Sequence, residues 1–481
     1  MSILGRLFRK FHCTPCLVVA VTTTLATCDG DYGNGESGDA SSSKRFSKGI
    51  QRFNHIVATS ASSTREGRDH AAKTGLIGAV GNTPLIYIRS ASEATGCHVY
   101  GKAEFMNPTA SVKDRAAKYL IEEAEKNGNL QPGGTLVEGT GGNTGVALAH
   151  LGASRGYKVV LCMPNSISVE KINHQRRLGA EVHLQPLVPF SDPENYARKA
   201  EIIAKERADQ GAFFTNQFEN EANFNAHYNG TGPEIWVQTR GKIDGFITSA
   251  GTGGTIGGIS ACLKNLNPKI KTYLVDPRGS VLYSYVTTGK CEVGANSGNA
   301  PAMEGIGIAR ITANMSKAVL DGAFTSRDQE AVDMAYHMLK QDGIYVGPSA
   351  ALNVTGAVKL ARKMGPGHTI VTVLCDSGDR YVSKLYNDDW LAENNLTPSP
   401  GAVDDKSLSF IKCGNPYCAC GQDCSCVDCN CGKHGDEHES PIAKDNNDNS
   451  AVLTKTSKKD EVGEKYEVTA IDVMPTRKGS E

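Results

Sequence analysis

Phe246-Ile247-Thr248-Ser249-Ala250-Gly251-Thr252-Gly253-Gly254-Thr255-Ile256-Gly257-Gly258 reads as a short apolar strand that passes through a glycine-rich turn into a helix. Small residues let consecutive backbone N–H groups converge on an anion, and the positive end of the following helix assists. A phosphate cradle at a strand-to-helix junction is a building unit of parallel sheets covered by helices. The class of phosphate is narrower than the cradle suggests. No Lys-Ser or Lys-Thr follows the glycines, so the Walker pattern fails, and Ile256 stands where a dinucleotide site needs its third glycine. Asp276, at the end of the next strand-like run, sits where a ribose-binding acid belongs, which keeps a nicotinamide reading open from the residues alone.

Outward from this unit the same alternation continues. Strand-like runs occupy 135–137, 159–163, 272–275 and 370–374, with helical patterns at 169–178 and 256–263. The regular α/β zone is larger than one hydrophobic core usually fills, so two α/β lobes with a cleft between them are expected. No repeat is visible at solenoid periods.

Two further loops lie at strand ends, where ligands of open α/β sheets gather. Glu138-Gly139-Thr140-Gly141-Gly142-Asn143-Thr144-Gly145 opens a second helix, and Cys375-Asp376-Ser377-Gly378-Asp379-Arg380-Tyr381 follows the run 370–374. Either glycine loop alone reads first as a tight strand-to-helix turn. Together they suit two anions, a cofactor phosphate and a substrate carboxylate. Lys113, in Asn107-Pro108-Thr109-Ala110-Ser111-Val112-Lys113-Asp114-Arg115, stands at the mouth of a helix carrying Ala116, Ala117, Tyr119, Leu120 and Ala124, with Ser111 as its expected cap. A helix N-terminus disfavours an ammonium, and a lysine there is pressed to lose its charge or react as an amine. That is the requirement of a Schiff-base lysine; the plain alternative is a snorkelling surface lysine.

Residues 74–390 resemble the cysteine synthase and cystathionine β-synthase family of pyridoxal-phosphate enzymes, those of fold type II. The landmarks come in family order: Gly81-Asn82-Thr83-Pro84-Leu85, Ser111-Val112-Lys113-Asp114-Arg115, Gly142-Asn143-Thr144-Gly145, Asn216-Gln217-Phe218, Gly251-Thr252-Gly253-Gly254-Thr255, Glu304-Gly305-Ile306-Gly307 and Asp376-Ser377-Gly378. The resemblance implies a two-lobed α/β enzyme with parallel sheets covered by helices. It implies that Lys113 carries pyridoxal 5'-phosphate covalently and removes the substrate α-proton. By the same resemblance Asn143 bonds the cofactor's phenolic oxygen, Gly251, Thr252, Gly253, Gly254 and Thr255 hold its phosphate, and Ser377 faces its pyridine nitrogen. Thr140, Gly141, Gly142, Thr144 and Gln217 take the substrate carboxylate. The implied reaction replaces the acetate of O-acetylserine with sulfide to give L-cysteine, by a homodimer.

Departures from the family pattern are specific. Gly141 replaces a usual serine and removes one hydroxyl from the carboxylate loop, and Gly347-Pro348-Ser349-Ala350-Ala351 departs from the commoner Gly-x-Ser-Ser-Gly. Glu304-Gly305-Ile306-Gly307 leans toward the cystathionine β-synthase branch, which uses homocysteine. Nothing in the chain resembles that branch's haem segment or paired regulatory modules, which points back to sulfide. A third reading keeps the lobe as a silent platform for a metal-buffering protein.

The 481 residues carry a net charge of −1 and are 39% hydrophobic, which argues against nucleic acid as the main partner. No run reaches the ~20 apolar residues that span a bilayer, so no stable membrane insertion is expected. Three zones emerge: a targeting or disordered segment at 1–70, a catalytic domain at 71–400, and a tail at 401–481. The first zone opens with Ile3, Leu4, Leu7, Phe8 and Phe11 at helical spacing among Arg6, Arg9 and Lys10, with no acid before Asp29, which suits a mitochondrial presequence. A secretory signal is the competing reading, weakened by Pro15 and the threonines of 13–27, and the cytoplasm is the alternative site for the mature protein. In the tail, Cys413, Cys418, Cys420, Cys424, Cys426, Cys429 and Cys431 follow C-x4-C-x-C-x3-C-x-C-x2-C-x-C. This density resembles metallothioneins, whose thiolates bridge Cu(I), Zn(II) or Cd(II), whereas the remaining scattered cysteines suit a reducing compartment. Disorder is expected from Lys433 onward, with 466–474 as an exception.

Overall fold

The computed structural model describes residues 73–167, 169–292 and 304–413, and two short paired strands, Lys455–Lys458 and Lys465–Val468. Between 73 and 413 the strands are β1 (Leu85–Tyr87), β2 (His98–Ala103), β3 (Thr135–Gly139), β4 (Lys158–Pro164), β5 (Glu181–Gln185), β6 (Ala212–Phe214), β7 (Gly245–Thr248), β8 (Lys271–Pro277), β9 (Gly322–Ser326) and β10 (Thr369–Leu374). They form two sheets, one per lobe. The larger has the order β1-β2-β10-β7-β8-β9, with β1 antiparallel and the rest parallel; the smaller, β5-β4-β3-β6, is parallel throughout. The expected two-lobed α/β architecture is therefore the one observed.

Composition explains the layering. β10 is Thr-Ile-Val-Thr-Val-Leu, rich in β-branched residues and buried along nearly its whole length, as suits a central parallel strand covered on both faces. The helix Pro348–Met364 begins with proline in its first turn and is buried continuously from Pro348 to Ala361. It lies between the sheet and the helix Asp328–Asp342. Asn353, fully buried within it, accepts from Ser249 N at 2.7 Å and donates to Val373 O at 2.8 Å, which ties the ends of β7 and β10 together where the glycine loop begins.

The lobes are not consecutive in the chain, and one expected boundary moves. β1 and β2, from the N-terminal end of the zone, complete the large lobe, so the small lobe is inserted between β2 and β7. The folded region also runs past residue 400. Leu408 and Ile411 are fully buried, Arg362 donates to the carbonyls of Ser407, Leu408 and Ile411, and Lys412 N donates to the buried Glu330 at 2.7 Å. The expected presequence, and Cys418, Cys420, Cys424, Cys426, Cys429 and Cys431, lie outside the described residues. The strand Lys465–Val468 overlaps the start of the expected exception at 466–474, and its partner Lys455–Lys458 falls in the stretch for which disorder was expected. No helix among the described residues is long and apolar enough to cross a membrane.

Candidate active site

The helix Lys113–Lys126 begins in the cleft because the chain before it is pinned to the β10 loop. Ser111 bridges Asp376, and Val112 N donates to Cys375 O at 2.8 Å. Val112, not Ser111, occupies the N-cap. Ser111 is fully buried and held by this bridge, and its hydroxyl accepts only from Lys113 N, at 3.3 Å. Beneath this segment lies a buried ion network. Arg115 contacts Glu104 through Nε at 2.7 Å and Glu234 through Nη2 at 2.7 Å, while Lys102 reaches Glu234 at 2.6 Å. Burial raises Glu234, but Arg115 and Lys102 hold its carboxyl at about 2, so these charges persist and fix the register of Lys113.

A cavity of about 380 Å³ opens above Lys113. Thr140, Gly141, Gly142, Asn143, Thr144 and Gln217 line one wall, and Gly251, Thr252, Gly253 and Thr255 line the other. Gly254 starts the helix Gly254–Leu266 directly behind. Burial in this cavity lowers the Lys113 pKa, opposed by the nearby Cys375, Glu138 and Asp376, and Nζ has no hydrogen-bond partner among the described residues. The amine is therefore biased toward its neutral, nucleophilic form.

The 251–255 wall is formed by close backbone packing. A Cβ on Gly251 would lie 2.3 Å from Gly305 O, one on Gly253 2.4 Å from Met315 N, and one on Gly254 2.2 Å from Asn223 Oδ1. The amides of Thr252, Gly253, Gly254 and Thr255 donate to no protein acceptor among the described residues. They crown a helix N-terminus, a site for a dianion. Residues not legible in the sequence orient the hydroxyls. Asn223 Nδ2 donates to Thr252 Oγ1 at 3.0 Å, and His227 Nε2 lies 3.2 Å from Thr255 Oγ1. Burial keeps His227 well below its ordinary pKa and hence neutral.

On the opposite wall, the amides of Gly141, Asn143 and Thr144 are likewise without protein acceptors among the described residues, at the start of the helix Asn143–Ser154. Thr144 Oγ1 donates to Gln217 Oε1 at 2.6 Å, and Gln217 Nε2 donates to Gly139 O at 3.3 Å. Glu138, beneath Gln217, is pushed up to about 7 by burial while accepting from Thr215 Oγ1, Gln217 N and Gly139 N. Asn143 donates to Asp376 Oδ2 at 2.6 Å and accepts from Arg380. A Cβ on Gly141 would meet Ile167 Cδ1, the far end of a flexible side chain, at 3.0 Å.

Two sequence-derived positions are not in the cleft. Ser377 turns away: its hydroxyl donates to Asp379 at 2.6 Å and caps its own turn, and it is absent from the cavity wall. Ser349, at the start of the helix Pro348–Met364 and beside Cys375, does line the cavity. Asp276 is fully buried, accepts from Tyr283 N at 2.8 Å and does not reach the cavity, which removes the ribose-binding reading.

Residues 76–376 match the family described as pyridoxal-phosphate dependent enzyme. The chain belongs to the pyridoxal-phosphate-dependent enzyme family. Cysteine synthases are its relatives. One from Dictyostelium discoideum is 51% identical over 344 residues, 70% of this chain and 89% of that protein. Cysteine synthase 1 of Neurospora crassa is 49% identical over 340 residues, covering 70% and 89%. A Saccharomyces cerevisiae cysteine synthase whose name includes the word mitochondrial is 39% identical over 339 residues, covering 66% of this chain and 84% of its own. The cleft of this pyridoxal-phosphate-dependent enzyme fits the cofactor: one amine with a lowered pKa, and one cradle of unpartnered amides.

Proposed function

We infer that the chain is a cysteine synthase that replaces the acetate of O-acetylserine with sulfide. The observation that carries this is the neutral-biased Lys113 amine set between two walls that each present unpartnered helix-terminal amides. Pyridoxal phosphate, when bound, supplies an aldehyde reactive toward amines and a ring that accepts electron density from the substrate α-carbon. Thr252, Gly253, Gly254 and Thr255 hold its phosphate, with Asn223 and His227 fixing the hydroxyls. Thr140, Gly141, Gly142, Thr144 and Gln217 hold the α-carboxylate, so that the α-hydrogen faces Lys113. Lys113 Nζ takes that proton. Ser349, not Ser377, is the hydroxyl we assign to the pyridine nitrogen, and Asn143 to the phenolic oxygen. Ile167, Leu187, Tyr196 and Phe218 restrict water at the mouth.

The acceptor follows from charge. Lys113 and Glu304 are the charged residues of the cavity lining, and Glu304 is anionic. Ion pairs with Lys171 and Lys384 overcome the upward effect of its burial and lower its pKa. A second amino-acid carboxylate, as on homocysteine, finds no cation there, whereas sulfide needs none. The test is direct: O-acetylserine with sulfide is turned over, and serine with homocysteine is not. Lys113→Ala removes the bound-cofactor absorbance and lowers turnover by about 1,000-fold or more. Wild type that stays colourless in pyridoxal phosphate would favour the silent-scaffold reading.

We further propose a homodimer, checked by light scattering, and mitochondrial targeting by residues 1–70, supported by their basic amphipathic pattern and checked by a reporter fusion. The thiolate spacing from Cys413 to Cys431 supports soft-metal binding by Cu(I), Zn(II) or Cd(II). Among the described residues no group of three or more potential ligands converges, so the site we propose is the tail alone. Equal metal content in the full chain and in a chain ending at 412 would remove it.

A further inference from the structure

A second cavity, of about 430 Å³, lies beside the catalytic one and shares no lining residue with it. Lys171 and His174 line it from the helix Val169–Arg177, Arg380 and Asp379 from the turn Gly378–Tyr381, with Ser383 and Asn387 beyond. Lys171 and His174 are three residues apart and thus share a helix face. We propose that this cavity binds a tetrahedral oxyanion, sulfate or phosphate, free or as the terminal group of a small metabolite, and that occupancy is felt in the catalytic cleft.

The donors gathered around one space lead to this reading. Arg380 forms no ion pair within 4.0 Å among the described residues; its guanidinium donates instead to two neutral carbonyl oxygens, Asn143 Oδ1 and Thr109 O. Lys171 and Lys384 share a single carboxylate, Glu304, leaving one positive charge in excess. The carboxylate in the lining itself is Asp379, which is exposed and already accepts from Ser377 Oγ. Asp376 and Asp114, the further carboxyls that feel Arg380, both have their pKa raised by burial, Asp114 to about 6. His174 Nε2 lies 3.1 Å from His150 Nε2. Burial and then His174 lower the His150 pKa, which favours its neutral form. An arginine fork, a lysine, an imidazole, a hydroxyl and a carboxamide around one space form the donor set of an oxyanion site. A divalent cation on the histidine pair is opposed by Arg380 and Lys171.

Coupling to the cleft needs no long pathway. Arg380 holds Asn143 and Lys171 holds Glu304, and both partners line the catalytic cavity. An anion that recruits either cation loosens one of these contacts.

Sulfate and inorganic phosphate are titrated by calorimetry into the full-length, pyridoxal-phosphate-loaded enzyme, with ionic strength held constant by sodium chloride. The loaded cofactor occupies the other phosphate cradle. One saturable site per chain is expected, with a shift of the cofactor absorbance on saturation. His174→Ala with Asn387→Ala, which leave the catalytic walls intact, weaken binding by about tenfold or more, and Ser383→Ala alone weakens it less. Glycerol 3-phosphate binding as tightly as phosphate identifies a metabolite-borne group; exclusion of the ester identifies the free ion. Absence of saturable heat, or equal affinity in wild type and the double variant, overturns the site. Saturation without any absorbance shift overturns the coupling. Because binding is read without turnover, neither failure bears on cysteine formation.

Discussion

The 251–255 and 140–144 loops share a composition and a place at helix N-termini, yet their packing differs. In the first, a methyl at Gly251, Gly253 or Gly254 would run into backbone or a buried amide at 2.2–2.4 Å. In the second, Gly142 has no atom within 4 Å of such a methyl, and Gly141 meets only the ends of Ile167 and Pro164 side chains. The first wall is held by backbone packing and the second has space around it, which suits the assignment of the cofactor phosphate to the first and of the substrate to the second.

Breaking the contrast gives the largest effect. Gly253 has φ +83° and its methyl would sit 2.4 Å from Met315 N, so Gly253→Ala combines backbone strain with a clash that no side chain can relieve. The expected cost is on the order of 4 kcal/mol in unfolding, with cofactor affinity down by about 100-fold or more. Gly142→Ala changes cofactor affinity by less than about threefold. Urea melts and absorbance titration measure both, and similar losses for the two variants would erase the distinction.

Glu138 ties the second wall to pH. Its pKa is about 7 in the fold against 4.5 for an ordinary glutamate, so folding favours the protonated form. The stability it contributes is fully present below about pH 4.5 and is lost as pH rises through about 7, on the order of 3 kcal/mol at most. Glu138→Gln flattens this window; an unchanged pH profile of unfolding would assign the trend to Asp276 or Asp114, whose carboxyls burial also raises, to about 7 and about 6.

Legibility in the sequence followed locality. Lys113, Asn143 and both glycine loops were readable because each is fixed by a strand end and the helix that follows it. The choice between Ser377 and Ser349 was not, since both serines sit at turns near strand ends and only the bridge of Val346 to Ser377, set by tertiary pairing, turns one of them away. Asn223, His227 and Asn353 look like ordinary polar residues inside helical patterns. Their signal was a polar residue among apolar neighbours, which single-sequence reading assigns to a solvated face. The return of β1 and β2 to the large sheet joins strands far apart in the chain, beyond any periodicity.

A smaller effect sits behind the 140–144 wall. Gln175 is fully buried against Gly145, and neither end of its carboxamide has a hydrogen-bond partner among the described residues. An unpaired buried amide costs about 1–3 kcal/mol, so Gln175→Leu, close in volume, is expected to stabilise the protein by about 1 kcal/mol. Destabilisation in urea melts would show that the carboxamide has a partner, and that the base of the 140–144 loop is as tightly specified as the other wall.

The subtlest test adds back the hydroxyl that Gly141 lacks. A Cβ there lies 3.0 Å from Ile167 Cδ1 and 3.3 Å from Pro164 Cδ, and the first of these is the far end of a flexible side chain. Gly141→Ser should therefore fold normally, at a cost below about 1 kcal/mol, because a rotamer change of Ile167 clears the space. The new hydroxyl adds one donor beside the amides to which we assign the substrate carboxylate, and KM for O-acetylserine is expected to fall by about threefold, with kcat unchanged, as for uniform binding. Gly141→Ser with Ile167→Val relieves the crowding and should deepen the fall. A lower kcat in both variants would mean that the second wall tolerates no added volume, and that it is as closely packed in function as the 251–255 loop is in structure.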